Sequence, residues 1–383
     1  MTTWKIPEAC ADISESDIRR QDEEVLRLLL VDRTLTSHNG RWTNIKWCTG
    51  DYALSHSGVV GFSAEDEIQM DLISSADGRD LKVVTPRVAK SKEEQRRRSV
   101  EHAEVFTPSW ICNEQNNLVD AAWFGRKDNL FNVPNPQFES ELDYSNCRAL
   151  RWKPLLGAKN AIRFARSKGR SSHDYVKALR LEVSCGEAPY LTSRYDTTQM
   201  NYWLEPDFRI GLLDRKLRIV TQVCKKKGWK EDKWIEWATE ALQSCYGFEW
   251  QGDNVLLARE NLLYAVLETF QATFRGVGVE IPTVRRWAEI ISWNVWQMDG
   301  IKFVVPNTCK DKIEEFPNLD GTVDRKVTPC KGCRSGKIDA HNGVRCRVMD
   351  WETGKPVLFM PPFEFKPIED ISVIRGDRND IAR

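Results

Sequence analysis

The stretch from residue 178 to residue 196 constrains the fold of this chain more than any other. It begins with an apolar segment, residues 179–183, which has the length and composition of a buried β-strand. A turn of small residues, CGEAP at 185–189, follows directly. A glycine-containing turn after a buried strand lets backbone N–H groups approach a ligand closely, as in doubly wound nucleotide-binding folds. The stretch therefore predicts an α/β protein with a ligand site at the end of this strand.

The composition is that of a folded protein with two or three domains. The chain has 383 residues, of which 41% are hydrophobic, so it can bury a full core. No apolar run approaches the roughly 18 residues of a membrane-spanning helix. The N-terminus lacks the basic and apolar stretches of a secretory signal. The 11 cysteines are odd in number and scattered, unlike a disulfide framework. We therefore expect a cytoplasmic protein without a membrane partner.

Charge is balanced over the whole chain but uneven along it. There are 56 basic and 56 acidic residues, which argues against a protein that coats nucleic acid through overall charge. Between residues 146 and 180, however, ten Lys or Arg residues accompany one acidic residue. Basic clusters at 96–98 and 225–227 add to this. These segments are candidates for contact with DNA phosphates, and a solvated basic surface is the alternative.

The region before the central strand is expected to form a separate N-terminal part and two helices. Residues 1–90 carry no chemical signature, with a helix predicted over 16–31 and short strands and loops after it. A charged helix over 91–103 then leads into Phe106, Thr107 and Pro108. Because proline suits the first turn of a helix, Pro108 marks the start of another helix.

A second strand is predicted at residues 245–249, and it ends in Glu249. A carboxylate at the end of the strand beside the first commonly accepts hydrogen bonds from both ribose hydroxyls of an adenosine. A long helix over 255–274 follows, capped by Asp253 or Asn254. A third element, residues 290–300, contains Asp299.

In this order, the segments resemble the S-adenosylmethionine-binding half of N6-adenine DNA methyltransferases, specifically the M subunits of restriction systems. The resemblance covers roughly residues 96–350. It is carried by FTP at 106–108, by EVSCGEA at 182–188 beside the family's D-P-A-C-G-S-G, and by NVWQMD at 294–299. The pattern YGFE followed by ARENL, at 246–249 and 258–262, is the most specific match.

The resemblance implies a doubly wound, Rossmann-like methyltransferase sheet within residues 91–308, with S-adenosylmethionine as cofactor. The FTP segment would lie beside the methionine end of the cofactor, and the turn after the first strand would approach it closely. Glu249 would hold the ribose, and Asp299 would accept a hydrogen bond from the adenine amine. The implied cofactor contacts are Phe106, Thr107, Pro108, Glu182, Cys185, Gly186, Glu249 and Asp299.

The last part of the chain, residues 309–383, is expected to be a cysteine-rich insertion. Its cysteines have the spacing C-x20-C-x2-C-x12-C, and they are Cys309, Cys330, Cys333 and Cys346. Four thiolates, or three with His341, would close a tetrahedral zinc site that folds the insertion and leaves no ligand position for water. Reduced structural thiols and incidental loop cysteines are the alternatives.

The catalytic motif of the family is degenerate in this chain. These enzymes carry [DNS]-P-P-[YFW] at the end of the fourth strand, whereas residues 360–363 read MPPF. The candidates are therefore Pro361, Pro362 and Phe363, and the polar residue is replaced by Met360, whose thioether is a weak hydrogen-bond acceptor. Only 20 residues follow Phe363. We expect the rest of the site to come from the N-terminal part or from a partner chain.

The expected function is DNA adenine-N6 methylation in restriction–modification or phage defence. Its partners would be DNA and a specificity or second methyltransferase subunit. A non-catalytic cofactor-binding or DNA-binding subunit is the alternative, because a fold does not fix a function.

Overall fold

The chain has a mixed α/β architecture. A computed structural model describes residues 2–6, 11–37, 39–51, 62–125, 131–134, 152–154, 169–198, 204–317, 323–360 and 364–367. Its helices are α1 (Glu15–Gln21), α2 (Glu23–Leu30), α3 (Met70–Ile73), α4 (Lys92–Glu101), α5 (Ser109–Phe124), α6 (Ser172–Lys177), α7 (Leu212–Lys227), α8 (Glu231–Gln243), α9 (Gly252–Thr273), α10 (Ile281–Asn294) and α11 (Lys331–Ser335). Its strands are β1 (Val31–Thr36), β2 (Trp42–Asn44), β3 (Asn132–Pro134), β4 (Trp152–Pro154), β5 (Arg180–Val183), β6 (Cys245–Glu249), β7 (Val295–Gln297), β8 (Lys312–Pro317), β9 (Val323–Thr328), β10 (Arg347–Asp350), β11 (Lys355–Met360) and β12 (Glu364–Pro367).

The centre of the fold is a parallel sheet with the strand order β5-β6-β7. Glu182 pairs with Gly247, and Glu249 pairs with Gln297, so all three strands end at the same edge. α7 and α8 connect the first two strands, and α9 and α10 connect the second two. The prediction of a parallel α/β sheet is confirmed. The reversal of strand order that makes a sheet doubly wound does not occur among the described strands.

The two faces of this sheet are covered by different layers. Successive side chains of a strand point to opposite faces, and every residue of β6 is buried. Cys245 and Val295 belong to the main apolar core with the helices. The opposite face packs against the β10–β11 hairpin through Tyr246, Phe248, Trp296, Val348, Val357 and Phe359. The strands β6 and β7 are therefore buried on both faces, whereas Val183 at the end of β5 is exposed.

The strand that precedes the MPPF sequence forms, but it does not join the parallel sheet. β11 pairs antiparallel with β10 and β12, and it lies over a face of the parallel sheet. The burial of Val357 and Phe359 against that face accounts for this position. The candidates Pro361, Pro362 and Phe363 lie outside the described residues.

The helix predicted over residues 16–31 is two helices followed by a strand. Ser14 caps α1 by accepting a hydrogen bond from the Asp17 N–H at 3.2 Å. Asp22 has an extended backbone, with φ −164°, and its side chain caps α2 by accepting from Val25 N–H at 3.1 Å. The chain turns into β1 at Val31. A capping aspartate thus divides an apolar pattern that reads as one helix.

Arg259 joins the N-terminal part to the core. This side chain is 1% exposed, and its guanidinium donates to four backbone carbonyls in distant segments: Leu29, Val31, Ser292 and Val295. Apolar residues from α1 and α2 belong to the same core as those of α9 and α10. The N-terminal residues therefore complete the main core.

Candidate functional site

A pocket of about 970 Å³ opens at the carboxyl edge of the parallel sheet. Its walls come from four separate segments, within residues 100–107, 182–190, 249–254 and 298–302. This is the edge at which open α/β sheets bind ligands. Seven of the eight predicted cofactor contacts line the pocket: Phe106, Thr107, Glu182, Cys185, Gly186, Glu249 and Asp299. The eighth, Pro108, is the N-cap residue of α5.

The turn after β5 is strained and closely packed. Ser184, Gly186 and Ala188 all have left-handed backbones, with φ of 51°, 52° and 63°. A Cβ at Gly186 would lie 3.1 Å from the ring of Phe106, so only glycine fits here without displacing the aromatic ring. Non-glycine residues in this region cost roughly 1–3 kcal/mol each and are concentrated at functional sites. The turn is therefore a candidate for close backbone contact with a ligand.

Glu249 connects this turn to the second strand. Its Oε2 accepts a hydrogen bond from Gly186 N–H at 2.9 Å, and its Oε1 accepts from Gln251 N–H at 3.3 Å. Burial raises the pKa of the carboxyl group, although these N–H donors oppose the shift. The carboxylate thus sits at the pocket wall, where a ligand hydroxyl can also donate to it.

Glu182 lines the pocket but supports the loop beyond the turn. Its two carboxylate oxygens accept from Tyr190 N–H at 3.2 Å and Leu191 N–H at 3.1 Å. Burial raises the pKa of Glu182 to about 8, against the effect of these two bonds. Its main contact is with backbone, so it positions the turn.

Asp299 organises the opposite wall. Its Oδ1 accepts from Ile301 N–H and Lys302 N–H, each at 3.0 Å, and its Oδ2 lies 3.4 Å from Lys302 Nζ. Its backbone N–H donates to Val304 O at 2.8 Å. Asp299 therefore fixes the loop at 300–302 and presents a carboxylate to the pocket.

A buried ionic network lies behind the pocket. Arg98 is fully buried, and its guanidinium contacts Glu104 at 2.6 Å, Asp51 at 2.7 Å, Gln251 at 2.7 Å and Asp253 at 2.9 Å. The prediction that the basic cluster at 96–98 contacts phosphate does not apply to Arg98, because its guanidinium is buried and paired with carboxylates inside the protein. No local pattern indicates this, since Asp51, Gln251 and Asp253 lie in distant segments of the chain.

The other two basic segments lie at the end of α7 and within residues 146–180. Lys225, Lys226 and Lys227 form the exposed last turn of α7, where cations interact favourably with the helix dipole. Most of residues 146–168 lie outside the described residues. DNA contact by these segments stays a prediction.

A second site lies in the C-terminal part, where Cys309, Cys330, Cys333 and His341 form what we call the thiol–imidazole cluster. The distances from the three Sγ atoms to His341 Nδ1 are 3.5, 3.9 and 3.6 Å. Zn–S bonds of about 2.3 Å and Zn–N bonds of about 2.0–2.1 Å in a tetrahedron give S···N edges of about 3.6 Å. The cluster could therefore bind a metal such as zinc.

The fourth member of this cluster is His341, and Cys346 lies outside it. Cys346 is buried in the apolar layer over the sheet, with its Sγ 3.5 Å from Gln297 O. A Cβ at Gly332, between Cys330 and Cys333, would lie 2.5 Å from the His341 ring. The absence of a side chain at Gly332 thus lets the His341 ring lie close to the C-x-x-C motif.

The local backbone favours a thiolate at Cys330. The N–H of Asn342 donates to its Sγ at 3.4 Å. Although desolvation opposes ionisation, backbone donors at Cys333, Asn342 and Gly332 lower the pKa of this thiol to about 6. Thiolates are the form of cysteine that binds metals, so this end of the insertion is preorganised for ligation.

Comparisons with protein-family models, with curated proteins and with solved structures find no match for this chain. No helix among the described residues is long and apolar enough to cross a bilayer. The chemistry of the chain must therefore be inferred from the pocket and from the thiol–imidazole cluster.

Proposed function

We propose that this protein binds S-adenosylmethionine in the pocket at the edge of the parallel sheet, as the cofactor-binding part of a DNA adenine-N6 methyltransferase in restriction–modification or phage defence. One observation carries the proposal. Seven residues, assigned to the cofactor from four separate sequence segments, line one pocket. In this proposal β5, β6 and β7 are one half of a doubly wound sheet.

The arrangement of the pocket suits an adenosine. Glu249 ends β6, and Asp299 follows the end of the neighbouring strand β7. Adjacent strands lie about 4.8 Å apart, so the two carboxylates can accept hydrogen bonds from the ribose and from the adjoining base. The turn around Gly186 and the ring of Phe106 then face the methionine end. The pocket volume of about 970 Å³ lies within the range of small-molecule sites.

Cofactor binding tests the proposal directly. Calorimetry with S-adenosylmethionine should show binding by the wild type, and Glu249→Gln and Asp299→Asn should each weaken it ten- to hundredfold. That range corresponds to the loss of one charge-assisted hydrogen bond, about 1.5–3 kcal/mol. Glu236→Gln is the control, because this exposed carboxylate pairs with Lys233 on α8 and does not line the pocket. Absent binding, or unchanged affinity in both folded pocket variants, would rule the proposal out.

A second candidate is a subunit that binds the cofactor without catalysing transfer. The position of β11 favours it, because the strand that precedes the MPPF sequence pairs antiparallel over the sheet. Methylases of this class extrude the target base and hold it in the active site, which requires groups placed at the pocket. We expect the isolated chain to bind cofactor but to transfer little labelled methyl to DNA unless a partner subunit is added. Robust transfer by the purified chain alone would eliminate this second candidate.

A further inference from the structure

We propose that the thiol–imidazole cluster holds a structural zinc ion, and that this ion braces the pocket wall at residues 300–302 through Arg345. Ile301 is 81% exposed, so apolar packing contributes little to its position. The loop is held by Asp299 on one side and by Arg345 on the other.

The donor set selects zinc and a structural role. Three thiolates with one imidazole are soft and borderline ligands, which suit zinc and not magnesium or calcium. The four ligand atoms lie within 4.8 Å of one another. Four protein ligands complete a tetrahedron and leave no position for substrate or water. The ion would therefore hold chain segments together and would not take part in methyl transfer.

Apolar packing contributes little to the two elements around the cluster. The β8–β9 hairpin joins Cys309 to Cys330, and its residues are exposed along almost their whole length. α11, which carries Cys333, has only five residues. Since neither element buries an apolar face, they are held by hydrogen bonds, and metal ligation would add a further interaction that fixes them.

Two segments, residues 305–310 and 342–344, run side by side between the cluster and the pocket, and metal ligands lie at their outer end. Val305 N–H donates to Val344 O at 2.8 Å, and Val344 N–H donates to Thr308 Oγ1 at 3.0 Å. Lys310 and Asn342 exchange two hydrogen bonds, of 3.1 and 2.8 Å, at the end nearer the cluster. The ligands Cys309 and His341 lie beside this last pair in sequence. A bound ion would therefore close the outer end of the two segments.

Arg345 carries the connection from these segments to the pocket wall. Its Nη1 donates to Lys302 O at 3.1 Å, and its Nη2 donates to Ile338 O at 3.0 Å. Ile338 lies in the short loop between two metal ligands, Cys333 and His341. One guanidinium thus bonds both to the loop enclosed by the metal and to the wall that Asp299 organises. Loss of the ion frees the first contact and loosens the second.

Metal analysis tests the first half of the proposal. Wild-type protein prepared without chelator should carry about one zinc ion per chain, and Cys333→Ser, at an exposed thiol, should retain less than a tenth of it. Cys346→Ser is the matched control in the same insertion and should keep its zinc; Cys309→Ser gives a second ligand variant. A wild type free of zinc, or full zinc in both ligand variants, would overturn the assignment.

Hydrogen exchange tests the brace. Peptides covering residues 299–303 should exchange at least tenfold faster after chelation and recover when zinc is restored, while peptides covering β6 should not change. Arg345→Met should keep its zinc and show the same faster exchange at 299–303. Stoichiometric zinc with unchanged exchange on chelation would overturn the brace. Neither measurement uses S-adenosylmethionine. A failure of the zinc proposal can therefore be distinguished from a failure of the proposed function.

Discussion

The turn after β5 and the loop that carries the thiol–imidazole cluster are both short segments of fixed shape, but different interactions stabilise them. Around the turn, the buried carboxylates of Glu182 and Glu249 accept backbone N–H groups beside a fully buried strand. Around the cluster, the strands are exposed and the ligand atoms are the main shared contact. The first loop is stabilised by burial within the fold, whereas the second would, on our proposal, depend on a bound ion.

This difference separates two kinds of stability in one chain. The sheet edge should lose its shape only when the core unfolds, because its groups are connected to that core. The insertion should lose its shape when its metal is removed, with the core still folded. Three sets of variants test the sheet side of this contrast.

The largest effect should come from the ionic network behind the pocket. Arg98→Met leaves the carboxylates of Asp51, Glu104 and Asp253 without their shared buried partner, so the free energy of unfolding should fall by about 3–5 kcal/mol. Arg97→Met is the control: Arg97 also pairs with Asp51, but its side chain is 38% exposed, and a change within about 1 kcal/mol is expected. Urea denaturation measures both, and the zinc content of folded protein should not change. Equal losses, or loss of zinc in Arg98→Met, would remove the contrast.

The pH dependence of stability should reveal the burial of Glu182. Its pKa is raised to about 8 from a usual 4.5. Between those values the folded chain keeps a proton that the unfolded chain has lost, so stability falls as pH rises, by up to about 1.4 kcal/mol per pH unit. Glu182→Gln should therefore lose less stability between pH 5 and pH 8 than the wild type in urea titrations. Burial also raises the pKa values of the Glu15 and Glu260 carboxyl groups, which titrate in both proteins. The slope of unfolding free energy against pH is therefore compared between the variant and the wild type. Parallel slopes would contradict the prediction.

The smallest and most local effect should come from the turn glycine. Gly186→Ala and Gly228→Ala both force alanine into a left-handed backbone, which costs about 1–2 kcal/mol of stability. Only the first meets a neighbour, the Phe106 ring, whereas the region around Gly228 is open. Affinity for S-adenosylmethionine, measured by calorimetry, should therefore fall about tenfold in Gly186→Ala, the loss of about 1.4 kcal/mol, and hold in Gly228→Ala. The same loss in both variants would exclude a specific role for the turn.

The parts of the fold that could be predicted from the sequence are those that local residue patterns determine. β6 matches its predicted range, 245–249, because a fully buried strand is a short apolar run with clear ends. The grouping of Cys185, Glu249 and Asp299 came from the resemblance to the methyltransferases, and it agrees with the rule that open α/β sheets bind ligands at the carboxyl ends of their strands. Neither inference needed knowledge of distant partners.

The misses concern pairings between distant residues. Arg98 resembles its exposed neighbours in sequence, and only folding brings three carboxylates to it. β11 has the composition of a strand, but composition does not state which strand it joins or in which direction. Cys346 has a suitable spacing for a ligand, yet the apolar layer over the sheet includes it. Each of these outcomes is decided by tertiary contacts.

The contacts of Arg259 have a consequence for how the chain is made. Its guanidinium meets the carbonyls of Leu29 and Val31 across sequence separations of 230 and 228 residues. At synthesis rates of about 5–20 residues per second, those carbonyls wait on the order of ten seconds or more for their donor to leave the ribosome. During that time the apolar faces of α1 and α2 have no core to enter. We expect the nascent N-terminal segment to need protection by chaperones, and refolding in vitro to be slow, as for proteins dominated by non-local contacts.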